Sequence, residues 1–257
     1  MSRWENKYGG DGFWMFSDPA DSNYVYTEYQ GGALARVHKH THETRDIQPK
    51  ARAGEKLRFN WNTPLHLSPN EKGTLYIGAQ FLFRTRDQGQ TWDRISPDLT
   101  TNDPQKQRQE ETGGVTVDNS AAEMHTTIYS ISESPKAAGT IWVGTDDGNV
   151  QLTRDGGARW TNQTRNIKGL PAASWVSWVE ASRHDPATAY ATFDRHTFGD
   201  YDPWVYVTRD YGRTWQALVT PKAARGVRRS ATISAAPSIM AANGIGAWTG
   251  FTISKRA

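Results

Sequence analysis

Asp118, Glu123 and His125 sit close together in Asp118-Asn119-Ser120-Ala121-Ala122-Glu123-Met124-His125. Two carboxyl groups facing each other across about 5–9.5 Å can hydrolyse a glycosidic bond, and their separation decides the stereochemistry. Spacing along the chain does not fix distance in space, so Asp11, Asp146, Asp147, Asp194 and Asp200 belong to the same pool of acids. Asp118 and Glu123 are the catalytic candidates because their polar loop runs into Thr126-Thr127-Ile128-Tyr129-Ser130-Ile131, which has strand length and composition. Such a strand would carry Glu123 and His125 toward the inside of a sheet assembly. The competing reading is that these acids only hydrogen-bond neighbouring elements.

A second group is Phe193-Asp194-Arg195-His196-Thr197-Phe198-Gly199-Asp200, a long polar and aromatic excursion between two apolar runs. Loops of this kind often bind ligands. Asp194, Arg195, His196 and His125 are the binding candidates, with Trp178, Trp175 or Trp204 as stacking surfaces for a sugar or peptide. His38, His40 and His42 alternate and would share one face of a strand, an arrangement that can ligate a metal but reads better as a solvated histidine face. No metal and no cofactor is expected. The chain has no cysteine, which excludes thiolate zinc sites, thiol nucleophiles and disulfides, and Gly113-Gly114 lacks the Lys-Ser/Thr that completes a phosphate loop.

The elements that would position these residues come from a repeat. Thr85-Arg86-Asp87-Gln88-Gly89-Gln90-Thr91-Trp92, Thr153-Arg154-Asp155-Gly156-Gly157-Ala158-Arg159-Trp160 and Thr208-Arg209-Asp210-Tyr211-Gly212-Arg213-Thr214-Trp215 share the pattern T-R-D-x-G-x-[T/R]-W. Each follows two short β-rich runs, such as Thr140-Ile141-Trp142-Val143-Gly144 and Val150-Gln151-Leu152. The predicted unit is strand, turn, strand, motif, and a short strand beginning at the Trp. Within the motif, Asp87, Asp155 and Asp210 would accept backbone N–H bonds, and Gly89, Gly157 and Gly212 would supply positive φ. Trp92, Trp160 and Trp215 would insert between sheets. Arg159 replaces a hydroxyl residue in the second copy and should loosen that turn. A degenerate unit precedes the three, with strands over Tyr24–Tyr29 and Ala33–Val37.

The three motifs match the Asp-box, or bacterial neuraminidase repeat, of sialidases, xyloglucan-active hydrolases, sortilin-type receptors and photosystem assembly factors. Gly9-Gly10-Asp11-Gly12-Phe13-Trp14, Leu57-Arg58-Phe59-Asn60-Trp61-Asn62-Thr63-Pro64, Gly113-Gly114-Val115-Thr116-Val117-Asp118, Trp142-Val143-Gly144-Thr145-Asp146-Asp147-Gly148 and Ala191-Thr192-Phe193-Asp194-Arg195-His196 resemble bacterial propeller proteins labelled sortilin-like or glycosyl hydrolase. The resemblance covers about residues 4–220. It implies an all-β, incomplete Asp-box β-propeller of about four blades, each a four-stranded antiparallel sheet. It also implies an interior fragment of a longer secreted or periplasmic parent whose remaining blades are its partners. The Asp-box residues would be structural, on the outer edge away from the ligand mouth. No Arg-Ile-Pro occurs, which argues against a sialidase.

Formal charge is +3 and the sequence pI about 9.0, a balance that raises nucleic acid as a partner. Its location removes the suggestion. After Asp210 come seven basic residues and no acid, leaving −4 for residues 1–210. Residues 1–220 read as the repeat domain. Residues 221–257 read as an atypical basic tail, frame-shifted or disordered. Met1–Lys7 lacks the apolar core of a signal peptide, and no run approaches the ~20 apolar residues of a membrane helix. The expectation is a non-catalytic module binding a polypeptide or glycan, without nucleic acid or a membrane segment. The alternative is a fragment of a xyloglucanase-like or sialidase-like glycoside hydrolase using paired carboxylates.

Overall fold

The computed structural model describes residues 5–108, 111 and 124–219. The 221–257 tail and the catalytic candidates Asp118 and Glu123 lie outside the described residues.

Among the described residues, sixteen strands form four antiparallel sheets of four, each a meander in chain order. The first sheet holds β1 (Gly12–Ser17), β2 (Tyr24–Tyr29), β3 (Ala33–His38) and β4 (Thr44–Asp46). The second holds β5 (Leu65–Leu67), β6 (Leu75–Gly78), β7 (Leu82–Thr85) and β8 (Asp93–Arg94). The third holds β9 (Ile128–Glu133), β10 (Ile141–Thr145), β11 (Val150–Thr153) and β12 (Thr161–Asn162), and the fourth β13 (Trp175–Ala181), β14 (Ala189–Arg195), β15 (Asp200–Thr208) and β16 (Gln216–Val219). The strands expected around the degenerate first unit are present, and β8, β12 and β16 each begin one residue after the motif Trp. His38 ends β3, but His40 and His42 fall in the turn before β4. The three histidines therefore do not share a strand face, and the left-handed His42 at φ 59° breaks the alternation.

The core lies between successive sheets. Tyr26 and Leu34 of the first meet Leu65 and Ile77 of the second; Tyr76 and Leu82 meet Ile131 and Val143 of the third; Trp142, Val150 and Leu152 meet Val176, Val179 and Phe193 of the fourth. Middle strands are consequently buried on both faces, as in the wholly buried Ile141–Thr145 run. Two glycines set the close approach of neighbours. A Cβ on Gly78 would lie 2.6 Å from Ile128 Cγ2, and one on Gly144 2.4 Å from Val176 Cγ1. The ends of β6 and β10 thus receive the first strand of the following sheet. First strands pack on one another, β9 against both β5 and β13, and Trp14 of β1 stacks on Trp178 of β13 at 5.9 Å.

The three repeated turns are alike in detail. Thr85, Thr153 and Thr208 each donate a hydroxyl to the following Asp at 2.8–2.9 Å and accept the Gly N–H at 2.9–3.0 Å. Each Asp then accepts the backbone N–H four residues on at 2.9 Å. Thr91 and Thr214 add a hydroxyl bond at 2.6 Å that Arg159 cannot make, so the second turn holds one bond fewer. Positive φ occurs at Gly89, Gly157 and Gly212, and also at the residue before each, Gln88, Gly156 and Tyr211. The turn needs two left-handed residues in succession, one more than the pattern suggested.

These turns also seal the seams between sheets. Trp92 Nε1 donates to Ile47 O at 2.7 Å and Trp160 Nε1 to Ile95 O at 2.9 Å. Ile47 follows the last strand of the first sheet and Ile95 that of the second. Trp215 instead packs edge-on against Trp142 at 5.8 Å, and its indole N–H has no acceptor among the described residues.

Candidate functional site

An antiparallel meander places its connections alternately at two ends. The repeated turns and the hairpins joining first to second strands share one end, where Gly156 N donates to Gly139 O and Tyr211 N to Ala187 O. The hairpins joining second to third strands share the other end with the links between sheets, as shown by Gly31 N to Trp61 O and Asp146 N to Thr127 O. His125, Asp146, Asp147, Asp194, Arg195 and His196 belong to this loop end. The motif Asp residues belong to the opposite one.

Within the loop end, Asp146 and Asp147 form the β10–β11 hairpin. Asp146 accepts Thr127 N at 2.8 Å, Thr127 Oγ1 at 2.6 Å and Asn60 Nδ2 at 3.2 Å, and His125 Nδ1 stands 3.5 Å from its Oδ2. Burial pushes its carboxyl up to about 8, and the charge of Asp147 adds to the effect. Asp147 accepts the N–H and hydroxyl of Thr101, both at 2.7 Å, and the hydroxyl of Thr145 at 2.5 Å. Beside them, Arg58 Nη2 bonds Asp98 at 2.7 Å while its Nε donates to Thr126 O at 3.1 Å. Thr126 has φ 59°, a costly conformation for a β-branched residue that the Arg58 bond helps hold. The cluster fastens the entry of β9 to two preceding links. Its acids point into protein.

The neighbouring β14–β15 hairpin is built differently. Asp194 accepts His196 N at 2.8 Å and pairs with His196 Nδ1 at 2.7 Å. Arg195 bonds Asp200 Oδ2 at 3.0 Å, Ser174 Oγ at 3.0 Å and Ala172 O at 3.2 Å, and Trp204 Nε1 reaches the same Asp200 oxygen at 3.1 Å. Gly199, at φ 68°, turns the chain back. The base of the hairpin is locked while its tip is open: Phe198 is 48% exposed, Tyr201 82%, and the His196 side chain 56%. Gly148 connects the two groups, because a Cβ there would sit 3.1 Å from Ala173 Cα and Ser174 O. Trp178 is not at this tip. It lies inside, donating to Glu180 at 3.2 Å and stacked on Trp14.

The loop end therefore joins His125 with Asp146 and Asp194 with Arg195 and His196, and leaves Trp178 aside. Sequence reasoning did not single out Arg58, Asn60, Thr101 and Thr127, which hold the two buried acids, or Tyr201. The traces of the first four were that Arg58 and Asn60 fell in a stretch that matched a family pattern and that Thr127 fell in the strand expected after His125. Among the described residues, no cluster of three or more His, Cys, Asp or Glu side chains is arranged to hold a metal ion, and no helix is long and apolar enough to cross a membrane.

Four meandering four-stranded sheets stacked face to face, first strands innermost, define a β-propeller, here four blades of one. The solved structure of the Dos1 propeller superposes with a TM-score of 0.51 at 12% identity, over 82% of this chain and 50% of that one. YCF48 bound to D1 peptide gives 0.44 at 15% identity, over 81% and 53%, and the GH74 xyloglucanase from Xanthomonas campestris gives 0.38 at 17%, over 80% and 38%. A stretch of 92 residues is 27% identical to the oligoxyloglucan-reducing end-specific xyloglucanase of Emericella nidulans, covering 34% of this chain and 10% of that enzyme. The chain thus spans about a tenth of that curated relative and half of the Dos1 propeller. No family model matches it.

Proposed function

We propose that this chain contributes blades to a non-catalytic propeller that binds a polypeptide or glycan across its loop end. The repeated turns are read as Asp-boxes with a structural role, and the parent protein as secreted or periplasmic. The observation that carries the reading is the β14–β15 hairpin, where exposed Phe198, Tyr201 and His196 stand on a base locked by Arg195, Asp200 and Trp204. Exposed aromatic side chains on a rigid support bind sugar faces or apolar peptide side chains at little entropic cost. The nearby acids suit support better than hydrolysis, since Asp146, Asp147, Asp98, Asp194 and Asp200 each hold a protein donor or cation. Parallel glycan and peptide arrays test the proposal. Binding that disappears in the Phe198→Ala/Tyr201→Ala double variant, with no reducing-sugar release, supports it; binding unaffected by that variant contradicts it.

The 92-residue likeness to a xyloglucanase favours a second reading, a glycoside hydrolase fragment using Asp118 and Glu123. Reducing-sugar release from xyloglucan that is lost in both Asp118→Ala and Glu123→Ala would replace the binding module with this enzyme.

A further inference from the structure

At the seam between the first two blades lies an open cleft of about 420 Å³, within the size range of small-ligand sites. One wall is the chain from β4 into the following link, with Arg45, Gln48, Lys50 and Arg52; the other is the first repeated turn, with Gln90, Trp92 and then Arg94. The seam is rigid where it matters. Trp92 is tied to Ile47 O at 2.7 Å, and Gly89 is pressed against Ile47 so closely that a Cβ would come within 2.6 Å.

The charge of this cleft runs against that of residues 1–210. Four cations face one carboxylate, that of Asp46, and Asp46 is taken by Lys50 at 3.0 Å. Arg94 is held by Glu55 and stacks over Phe81 at 3.9 Å. The exposed Arg45 and Arg52 guanidiniums have no ion-pair partner among the described residues. Two free guanidiniums beside an indole wall and two side-chain amides combine what a carboxylate needs with what a sugar ring needs. We propose that the cleft is a second ligand site, distinct from the loop end, for an acidic saccharide of the uronic acid class. The carboxylate would lie between Arg45 and Arg52, and the ring against Trp92 with its hydroxyls on Gln90 and on the Oε1 of Gln48, whose Nε2 is held by Gly31 O at 3.1 Å. A peptide fits less well. The free sheet edge here is β4, three exposed residues that include Arg45 and Asp46, and a short charged edge offers an added strand little main-chain pairing.

Titration calorimetry of the full chain tests this with a galacturonic acid trimer, a neutral galactose trimer and a hexapeptide of Asp and Glu, at low and moderate salt. The expected result is saturable binding of the acidic trimer, about tenfold or more weaker for the neutral one, and weakened by salt. The Arg45→Gln/Arg52→Gln variant, whose exposed side chains carry no packing, should lose about tenfold while keeping its unfolding midpoint. The Phe198→Ala/Tyr201→Ala variant should bind the acidic trimer normally, which separates failure of this site from failure at the loop end. No saturable binding of the acidic trimer, equal binding by the arginine double variant, or binding of the hexapeptide as tight as the trimer would overturn the proposal.

Discussion

The motif carboxylates of the turn end and the buried Asp146 of the loop end each accept several hydrogen bonds, yet their carboxyls shift in opposite directions. At the turn end, burial is the largest single influence on Asp87 and Asp210 and raises them, but the hydroxyl and N–H of Thr91 and Thr214 and the hydroxyl of Thr85 and Thr208 together outweigh it, so their carboxyls are held low. Asp155 is held low chiefly by the Arg159 N–H. At the loop end, Asp146 also has three donors, yet burial raises it to about 8. Glu28 on β2 is raised to about 8 in the same way, although the backbone N–H groups of Gly32, Trp14 and Thr63 draw it down. Hydrogen bonds to a carboxylate favour its charge only while water still shares the cost of solvating it. The turn end therefore uses its motif acids as charged locks, and the loop end buries Asp146 and Glu28 as neutral ones.

The largest expected effect follows from this contrast. Unfolded, Asp146 and Glu28 ionise near 4, but in the folded chain they stay protonated up to about 8. Between those limits the unfolded state holds fewer protons, so stability falls as pH rises, with a slope approaching about 1.4 kcal/mol per pH unit for each acid, and levels off above 8. The turn carboxylates act the other way, adding stability above their ordinary range that is lost as pH falls through their lowered values. Urea titrations from pH 4 to 9 should show the decline, flattened in Asp146→Asn and in Glu28→Gln. A slope unchanged by both would break the contrast.

Next in size are the glycines of the second turn. Gly157, at φ 104°, would place a Cβ 2.3 Å from Ile95 O, whereas one on Gly156, at φ 69°, would meet only Arg84 Nη1, at an ordinary contact distance of 3.9 Å. Gly157→Ala should cost about 3 kcal/mol, combining left-handed strain with overpacking, and Gly156→Ala about 1 kcal/mol from strain alone. Equal costs in denaturant unfolding would mean that the turn does not seal the seam.

The tryptophans separate the seams. Trp92→Phe and Trp160→Phe each remove an indole bond and orphan a carbonyl, so they should cost about 1–2 kcal/mol more than Trp215→Phe, whose N–H has no acceptor among the described residues. Equal losses would contradict the geometry. Smallest is Arg159→Thr, which restores the missing hydroxyl bond to Asp155 and should raise Tm by roughly 2 °C.

Much of the turn end was legible in the sequence because its geometry is local. Thr, Asp, Gly and Trp at fixed spacing act within a single turn, and only the left-handed Gln88 and Tyr211 escaped notice, since neither residue type advertises positive φ. The loop end was not legible, because its bonds join residues far apart in the chain. Asn60 reaches Asp146 across 86 residues and Arg58 reaches Thr126 across 68, and no local pattern records such a pairing. Asp146 therefore looked like a possible acid catalyst until its burial was known. Asp194 and His196 stood out only as members of a long polar and aromatic excursion, and their pairing with each other was not foreseen.

Hydrogen exchange of the chain with and without the ligand recovered from the arrays tests most directly whether the loop end is the binding face. The account predicts protection confined to residues 172–174 and 194–201, with turns 153–160 and 208–215 unchanged. Protection of those two turns, with the hairpin tip exchanging as in the free chain, would contradict it.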